Sequence, residues 1–537
     1  MQTILSVAEK PSVAKSLAEI IGQGSAVSTR NGFSPYNKVF EVTTRFQGQP
    51  CKMVITSVLG HLMELKTDEA FNGSWASTNP IGLFDCQVTK TYREDCQLLK
   101  KTLQQEIKRC DGLLLWLDCD LEGENIAFEV IQCCLESKPM IKHHIFRARF
   151  SALNNRDIQH ALQHPDRPNA HMNNAVDARQ EIDLRLGAAF TRFQTVRVQS
   201  KFPGVLKGYL SYGPCQFPTL GFVVERYLKI TSFVPESFWY IALDIEAPSE
   251  DDESVNKSHS LTWERNRLFD RLSCIIIYEM CVNSGQGKVV DCSSRPTTKP
   301  RPCPLNTIEL QKEASRNFRM PSDRTMEIAE KLYQGGLISY PRTETTVYKE
   351  GFELTPLVEE QTNNPSWGAY SRSLLNENAF EWPRNGGQDD QAHPPIHPLK
   401  SVPLESLDSE ERKVYELVVR HFLASCSKDA KGQQSSVRVE VATLTGGELF
   451  KITGLMVIEK NWLVVYPWTK WTGSKIPSMK VGDYVAIKRM ELMSGRTEPP
   501  PPLNEVDLIS QMDKCRIGTV NLKLSLTHLK YYIRMLR

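Results

Sequence analysis

The feature that most constrains the fold is a short apolar run, residues 112–117, that ends in a turn with three carboxylates, Asp118, Asp120 and Glu122. A continuous run of this kind is typical of a strand buried on both faces of a sheet. The residues that follow, 125–135, have the apolar spacing of a helix. The pattern therefore predicts an α/β sheet with acidic groups at the carboxyl end of a strand, where such sheets bind ligands.

The start of the chain has the same organisation. Residues 3–8 form a short apolar strand, and Pro11 and Ser12 open an amphipathic helix. Glu9 and Lys10 therefore also fall at a strand end. Two such units predict a doubly wound α/β domain over about the first 150 residues.

The remainder alternates between helical and strand-rich stretches. Residues 155–222 have helical periodicity, whereas residues 223–295 and 432–497 show the two-residue alternation of strands. A second helical block, residues 300–428, separates these strand-rich stretches. The order predicts a discontinuous β domain into which a helical domain is inserted.

Composition excludes some classes of protein. The 537 residues are 40% hydrophobic and 24% charged, which is typical of a soluble globular protein. The longest apolar runs are a quarter of the roughly 20 residues that cross a bilayer, so no transmembrane span is expected. The 14 cysteines include no CxxC pair, which argues against a zinc site. The net charge of +2 neither indicates nor excludes a polyanionic partner.

One stretch has a local charge bias. Residues 187–223 contain no acid, and their basic residues are interleaved with aromatic rings. Cations and stackable rings are what a groove for single-stranded nucleic acid requires. An ordinary helical core edge explains the pattern equally well at this stage.

The acidic turn admits three interpretations. Clustered carboxylates bind Mg²⁺. The turn also matches part of a calcium-binding EF-hand, with Gly123 and Glu129 at the sixth and twelfth positions, but a strand precedes it and Asn125 stands where an apolar residue is usual. Finally, Glu122 and Glu124 could simply stabilise the positive end of a helix.

A second motif centres on Tyr340. Pro341 disfavours a helical conformation of the preceding tyrosine, and Arg342 lies close enough to bind a phosphate that the phenol would attack. A phenol with a pKa near 10 needs neighbouring cations or a base to act as a nucleophile. The alternative is a tyrosine that only packs. His393, between Ala392 and two prolines, supplies an imidazole on a stiff loop.

Taken together, these segments resemble the type IA DNA topoisomerases, within them the eukaryotic topoisomerase III branch, and its beta form in particular. The resemblance follows the chain in order and covers nearly all of it. The segments that carry it are residues 7–12, the turn at Asp118, and residues 146–150, 176–181, 211–221 and 338–345.

The resemblance implies a multidomain fold of α/β, α and β parts: an N-terminal Toprim domain followed by a type IA topoisomerase toroid with a discontinuous β-rich hinge domain. The implied domains are a Toprim domain at 1–153, a helical strand-binding domain at 154–222, the hinge at 223–295 and 431–497, a helical domain with the active-site tyrosine at 296–430, and a truncated remainder of the strand-binding domain with a divergent tail at 498–537.

The resemblance also implies the chemistry. Tyr340 would attack a backbone phosphate of one strand and form a 5′-phosphotyrosyl link, without ATP. Lys10 and Arg342 would bind that phosphate, Glu9 would transfer a proton to the leaving 3′-oxygen, and His393 would assist. The sequence agrees in lacking a GxxxxGK[ST] phosphate loop.

Further site residues follow from the same resemblance. Asp118, Asp120 and Glu122 would hold Mg²⁺. Nucleic acid would contact Arg147, Arg149, Arg179, Arg185, Arg192, Ser211, Gln216, Thr219 and Thr343. Expected partners are single-stranded DNA, RNA as an additional substrate, and an accessory protein of the topoisomerase III family. A monomer without membrane association is expected, in the nucleus with the cytoplasm as a second location.

The chain departs from the family pattern near its end. The pattern there is Gly-Ile-Gly-Thr-Asp-Ala, whereas this chain reads Cys515-Arg516-Ile517-Gly518-Thr519-Val520, loses the first glycine and diverges after Thr519. Relatives continue further. We therefore expect a truncated form. Two alternatives to an active topoisomerase stay open: a catalytically impaired clamp that only binds nucleic acid, and a Toprim nuclease that needs no tyrosine.

Overall fold

The computed structural model describes residues 1–23, 27–248, 256–376, 379–443, 446–474 and 476–518. Its strands are β1 (Gln2–Ala8), β2 (Ser28–Asn31), β3 (Lys38–Phe46), β4 (Gln49–Ser57), β5 (Met63–Thr67), β6 (Val88–Tyr92), β7 (Gly112–Trp116), β8 (Ile145–Arg147), β9 (Ser237–Pro248), β10 (Asn256–Trp263), β11 (Gln286–Lys299), β12 (Ala430–Thr443), β13 (Gly446–Glu459) and β14 (Tyr484–Arg496). Its helices are α1 (Pro11–Gly22), α2 (Gln97–Lys108), α3 (Leu121–Ser137), α4 (Asn155–Gln163), α5 (Ala170–Lys201), α6 (Gln216–Thr231), α7 (Arg271–Val282), α8 (Thr307–Phe318), α9 (Ser322–Gln334), α10 (Thr355–Glu360), α11 (Gly368–Asn376), α12 (Ser409–Ser425) and α13 (Glu505–Lys514).

The N-terminal part is a six-stranded sheet of order β2-β3-β4-β1-β7-β8. The two strands predicted from apolar runs, β1 and β7, are parallel neighbours, and all five residues of β7 are buried. Ala8 pairs with Trp116 in their register. Glu9 and the acidic turn therefore leave the sheet side by side.

The strand-rich stretches meet in one closed barrel of order β10-β13-β12-β11-β14-β9, in which all pairings are antiparallel. Three of its strands precede the helical block in sequence and three follow it. The prediction of a discontinuous β-rich part is confirmed. The domain boundaries stay predictions. Helix α6 crosses the one predicted between residues 222 and 223, continues to Thr231, and packs Phe222 and Val223 against the last described helix, α13.

The hydrophobic core shows which parts are joined. One contiguous core contains Ile4 and Leu114 from the sheet together with Leu332, Ile338 and Tyr340 from the helical block. The opposite face of the sheet packs on α2 and α3, and the barrel has a core of its own. The helical block is therefore packed directly on one face of the N-terminal sheet.

Within the described ranges, no helix is long and apolar enough to cross a bilayer. The divergent tail predicted from the sequence falls in residues 519–537, which lie outside the described residues.

Candidate active site

The acidic turn is fixed by backbone contacts between β7 and α3. Asp120 caps α3, because its Oδ1 accepts a hydrogen bond from the Gly123 amide at 2.7 Å. The Asp118 amide donates to Glu9 Oε2 at 3.2 Å, which ties the two strand ends together. A side chain on Gly123 would place its Cβ 2.0 Å from the Asp118 carbonyl oxygen. The close approach of turn and helix therefore requires glycine.

The carboxylates of this turn share a desolvated space. Burial, followed by the nearby charges of Glu9 and Asp120, raises the pKa of Asp118 well above its usual range. Burial also raises the pKa of Glu9, with a further contribution from Asp120, against the opposing effect of Lys10. Like charges and low solvation therefore both favour protonation of Asp118 and Glu9.

Tyr340 lies directly against the turn. After α9 the chain turns at Gly336, which adopts a φ of +69°, and reaches Tyr340 four residues later. The Tyr340 hydroxyl donates a hydrogen bond to Asp120 Oδ2 at 2.8 Å. The side chain is only 3% exposed. Burial and the surrounding acids raise the pKa of Tyr340 well above its usual range, so the phenol is neutral in this arrangement.

Ser151 and His393 hold the tyrosine from the other side. The Tyr340 amide donates to the Ser151 carbonyl at 3.0 Å, and the Ser151 hydroxyl is 3.1 Å from His393 Nδ1. The rings of Tyr340 and His393 are 4.3 Å apart at an interplanar angle of 34°. Burial lowers the pKa of His393 to about 4. Its Nε2 is buried and has no hydrogen-bond partner among the described residues, so this atom is available to form a hydrogen bond with a group that enters the site.

Two cations converge on one acid beside the tyrosine. Arg342 forms an ion pair with Glu330, and Lys10 Nζ is 3.6 Å from the same carboxylate. Burial alone would lower the pKa of both cations, but Glu330 and neighbouring acids raise it, so both stay charged. Lys10 comes from the strand end and Arg342 from the tyrosine loop, so that the two parts of the site each contribute one cation to the same carboxylate.

The predicted metal ligands separate into two groups. Asp118 and Asp120 face the tyrosine, whereas Glu122 contacts His61 Nε2 at 3.1 Å and Arg179. Glu122 stays a predicted ligand, although α3 begins at Leu121 and the contacts with His61 and Arg179 hold Glu122 apart from the other two acids. Across the described ranges no cluster of three or more His, Cys, Asp or Glu is arranged to hold a metal ion. Two carboxylates still suit Mg²⁺, which usually binds one or two together with water and substrate phosphate.

The EF-hand interpretation fails on Glu129. Its Oε2 accepts hydrogen bonds from the Leu62 and Met63 amides at 2.7 and 3.2 Å. His61 and Lys90 contact its other oxygen at 3.2 and 3.0 Å. Both oxygens of Glu129 are therefore engaged in fastening α3 to the chain around residue 62.

Three of the predicted nucleic-acid contacts have buried side chains that are engaged within the protein. Arg147 is 0% exposed, pairs with Glu124 and donates to backbone carbonyls, including that of Asp118 at 2.6 Å. Thr343 donates to an acid of the neighbouring loop. Thr219 bonds within α6 and contacts Met512 of α13. All three support the framework of the site.

The other predicted contacts are at least partly accessible, but most also have partners. Arg185 donates to three backbone carbonyls near residue 84, and Arg192 donates to Phe71 O at 2.7 Å. Arg149 and Arg179 pair with acids. Ser211 and Gln216 flank a run of tilted rings, Phe190, Tyr212 and Phe217, with successive centroids 4.8 Å apart. Aromatic and basic groups therefore occur together on the surface of α5 and α6.

Sequence reasoning missed several residues of the site. These are Ser151, Glu330, Asp390 and Tyr333, whose ring packs edge-on against that of Tyr340 with centroids 5.3 Å apart. None belongs to a spaced motif, and each is identified by a contact in the folded chain with another residue of the site. A signal was available only for Asp390, which is one of two consecutive acids shortly before His393.

Comparison with known protein families gives two matches that together cover most of the chain. The Toprim domain family matches residues 4–153, and a DNA topoisomerase family matches residues 167–520. Toprim domains are metal-binding domains, in agreement with the acidic edge of the sheet.

Individual relatives agree with these matches. The chain is 47% identical over 528 residues to DNA topoisomerase 3-alpha of Arabidopsis thaliana, covering 96% of this chain and 55% of the relative. It is 44% identical over 520 residues to DNA topoisomerase 3-alpha of Homo sapiens, covering 97% and 50%. DNA topoisomerase 3 of Saccharomyces cerevisiae is 38% identical over 558 residues, covering 96% and 83%. The chain thus spans about half the length of the plant and human relatives.

A solved structure supports the fold. Full-length topoisomerase I from Thermotoga maritima superposes with a TM-score of 0.70 over 98% of this chain and 78% of the bacterial one, at 21% sequence identity. The expectation of the beta form is corrected by the relatives, which are named topoisomerase 3-alpha or simply topoisomerase 3. The chain belongs to the type IA DNA topoisomerase family.

Proposed function

We propose that this chain cleaves and reseals one strand of DNA through a covalent bond to Tyr340, without ATP, and so relaxes underwound DNA or passes strands. One observation carries the proposal: the Tyr340 hydroxyl is bonded to Asp120 at 2.8 Å, although the two residues are 220 positions apart in sequence. A nucleophile, a carboxylate acceptor for its proton and two cations therefore lie within one small volume.

The reaction is a phosphodiester exchange. The Tyr340 oxygen attacks the phosphorus, a P–O bond to tyrosine forms, and the bond from phosphorus to the 3′-oxygen breaks. The phenolic proton passes to Asp120, which already accepts it in a hydrogen bond. Glu9 gives a proton to the leaving 3′-oxygen, and its raised pKa favours the protonated form that this step needs. Resealing is the reverse reaction.

The cations stabilise the charge that develops on the phosphate. Lys10 and Arg342 are bound to Glu330 in the absence of substrate, and a phosphate would compete for both. The buried Nε2 of His393 is a further group for a phosphate oxygen. Exchanging one phosphodiester for another is nearly neutral in free energy, which is why no nucleotide is consumed.

Strand entry requires the site to open. Tyr340 is buried against the acidic turn, and its amide is bonded to Ser151 across the seam between sheet and helical block. We propose that nucleic acid enters when these contacts separate. Mg²⁺ held by Asp118 and Asp120 would supply positive charge to the phosphates of the broken strand.

The experiment uses two single strands of the same sequence, one labelled at its 5′ end and one at its 3′ end, incubated with protein and Mg²⁺ and then denatured in SDS. A 5′-phosphotyrosyl link predicts that only the 3′ label stays on the protein. Tyr340→Phe is expected to abolish this adduct. Tyr348→Phe removes the hydroxyl of another buried tyrosine of the same loop and serves as the matched control.

The same experiment separates the alternatives. A Toprim nuclease would cut the strand with Tyr340→Phe as well as with the wild type, and a clamp would bind the strand without cutting it. Either result contradicts the proposal. Repeating the assay with RNA of the same sequence shows whether ribonucleotides are also cleaved.

A further inference from the structure

Tyr340 and His393 are carried by two loops that run side by side. Beyond the tyrosine, Thr346 and Gln388 are joined by a backbone hydrogen bond of 2.9 Å. Before the tyrosine, the Ser339 amide donates to the His397 carbonyl at 2.9 Å. The histidine therefore lies on a stretch that is fastened to the tyrosine loop at both ends, and its position depends on how firmly each end is held.

The Asp390 side chain also joins the two loops, at a position between Gln388 and His393. Asp390 Oδ2 accepts hydrogen bonds from the Thr343 hydroxyl at 2.8 Å and the Glu344 amide at 3.2 Å, on the tyrosine loop. Its Oδ1 accepts from the amides of Ala392 and His393, both at 2.9 Å. Each carboxylate oxygen thus serves a different loop.

The charge of Asp390 is suited to this arrangement. Burial opposes ionisation, but the hydrogen bonds from His393, Ala392 and Thr343 prevail and lower the pKa of Asp390 below its usual range. An ionised carboxylate is acceptor-only and can satisfy all four donors, whereas an amide cannot. The Asp390 amide also donates to Thr345 Oγ1 at 3.0 Å, which adds a further contact between the loops.

We infer that Asp390 is a positioning residue that holds the His393 imidazole in register with Tyr340. This inference rests on the proposed function, since it assigns a task within that reaction. Asp390 is bonded only to its own helical block in these contacts, whereas Ser151 reaches the pair from the other side of the seam. When the seam opens, the Ser151 contacts are lost and the Asp390 contacts stay. Tyr340 and His393 can therefore move as one unit.

The test compares Asp390→Asn with Asp389→Asn, the neighbouring acid, which bonds the Gln391 amide and lies 3.6 Å from Lys349. Diethyl pyrocarbonate modifies accessible neutral imidazoles, and peptide mass spectrometry locates the modification. In the wild type His393 and His397 are both buried and should be protected. In Asp390→Asn we expect His393 to react about tenfold faster while His397 stays protected, because only the end held by Asp390 is released. Asp389→Asn should react like the wild type.

A second measurement links position to chemistry. Asp390→Asn should lower the rate of adduct formation by about tenfold or more, with the affinity for a single strand unchanged, since misplacing a catalytic group weakens the reaction and not binding. Continued protection of His393, or exposure of His393 without a loss of rate, would overturn the inference. If Asp390→Asn fails to fold, Thr343→Val, which removes one donor to the same carboxylate, gives the same readout on a smaller scale. If the wild type itself forms no adduct, the proposed function fails, while the protection experiment still reports on Asp390.

Discussion

Arg147 and Arg149 are two residues apart on the same segment and have opposite surroundings. Arg147 is completely buried and lies 3.0 Å from the buried Glu124. Arg149 is about one third exposed, and its two acidic partners are farther away, at 3.6 Å. Arg147→Met leaves the buried Glu124 without its main cation and several carbonyls without a donor. We expect it to lower the free energy of unfolding by about 3–5 kcal/mol, measured by urea denaturation.

Arg149→Met is the matched control for this prediction. The loss of a partly exposed pair should change stability by about 1 kcal/mol or less. A reduced affinity for a labelled single strand is expected instead, because the exposed guanidinium can reach a phosphate. Equal stability of the two variants would contradict the structural role of Arg147.

His397 predicts a pH dependence of stability. Its ring packs among Tyr348, Phe352 and Phe422, and burial lowers its pKa to about 4. The unfolded chain binds a proton at this residue near pH 6.5, whereas the folded chain does so only near pH 4. Stability should therefore fall as the pH drops through this window, by on the order of 3 kcal/mol from His397 alone.

His397→Gln is neutral at every pH and should flatten this dependence. The measurement is the urea midpoint at several values between pH 4 and pH 7. His171→Gln, which changes an exposed histidine of α5, should keep the slope of the wild type. Parallel slopes for all three proteins would show that His397 does not titrate in this way.

At the scale of elements, the junction of β7 and α3 depends on a close approach of backbones. An alanine at position 123 would place its Cβ 2.0 Å from the Asp118 carbonyl oxygen, and backbone cannot move aside cheaply. Gly123→Ala should displace the acidic turn, lower the thermal midpoint and reduce adduct formation by about a hundredfold or more. Gly73→Ala, at a position with no atom within 4 Å of the added Cβ, should behave like the wild type. A Gly123→Ala variant with normal cleavage would contradict this account of the turn.

The same junction shows what sequence can and cannot predict. The strand β7 was predictable because a short uninterrupted apolar run is typical of a buried strand. The acids that come next in sequence therefore lie at its carboxyl end. The direction in which each carboxylate side chain points was not predictable. The helix begins at Leu121, so Glu122 is separated from Asp118 and Asp120 by the helical turn. Acids at alternate positions in a sequence do not show, to within one residue, where the following helix begins.

Contacts between residues that are distant in sequence could not be predicted either, for a related reason. The motifs around Tyr340 and His393 predicted that these residues belong to one site. The residues that hold them, Ser151 and Asp390, were found only through contacts in the folded chain. The resemblance to a family likewise could not separate the buried Arg147 from the accessible Arg149, because a motif records residue types and not burial.

At the scale of the whole molecule, the hydrophobic cores indicate which parts of the chain can move relative to one another. The N-terminal sheet and the tyrosine-bearing helical block share one core. The barrel has a core of its own and also contributes to the shared core through Ala430 of β12 and Trp462 and Tyr466 between β13 and β14. The chain passes between block and barrel along β11 and β12, which pair as far as Lys299 and Ala430. This arrangement suits the barrel for the hinge role that the family resemblance predicts. The nuclear location, the accessory protein and the monomeric state stay predictions.

Separate cores predict separate unfolding. Phe450 is completely buried in the barrel, and Phe450→Ala should destabilise the barrel by about 3–5 kcal/mol. Pulsed hydrogen exchange at increasing urea should show β12 and β13 losing protection at a lower concentration, with β1 and β7 unchanged. Leu114→Ala, in the shared core, should instead lower the midpoints of β7 and α9 together. A common shift of all peptides in Phe450→Ala would mean that the barrel is coupled to the rest too tightly to move as a hinge.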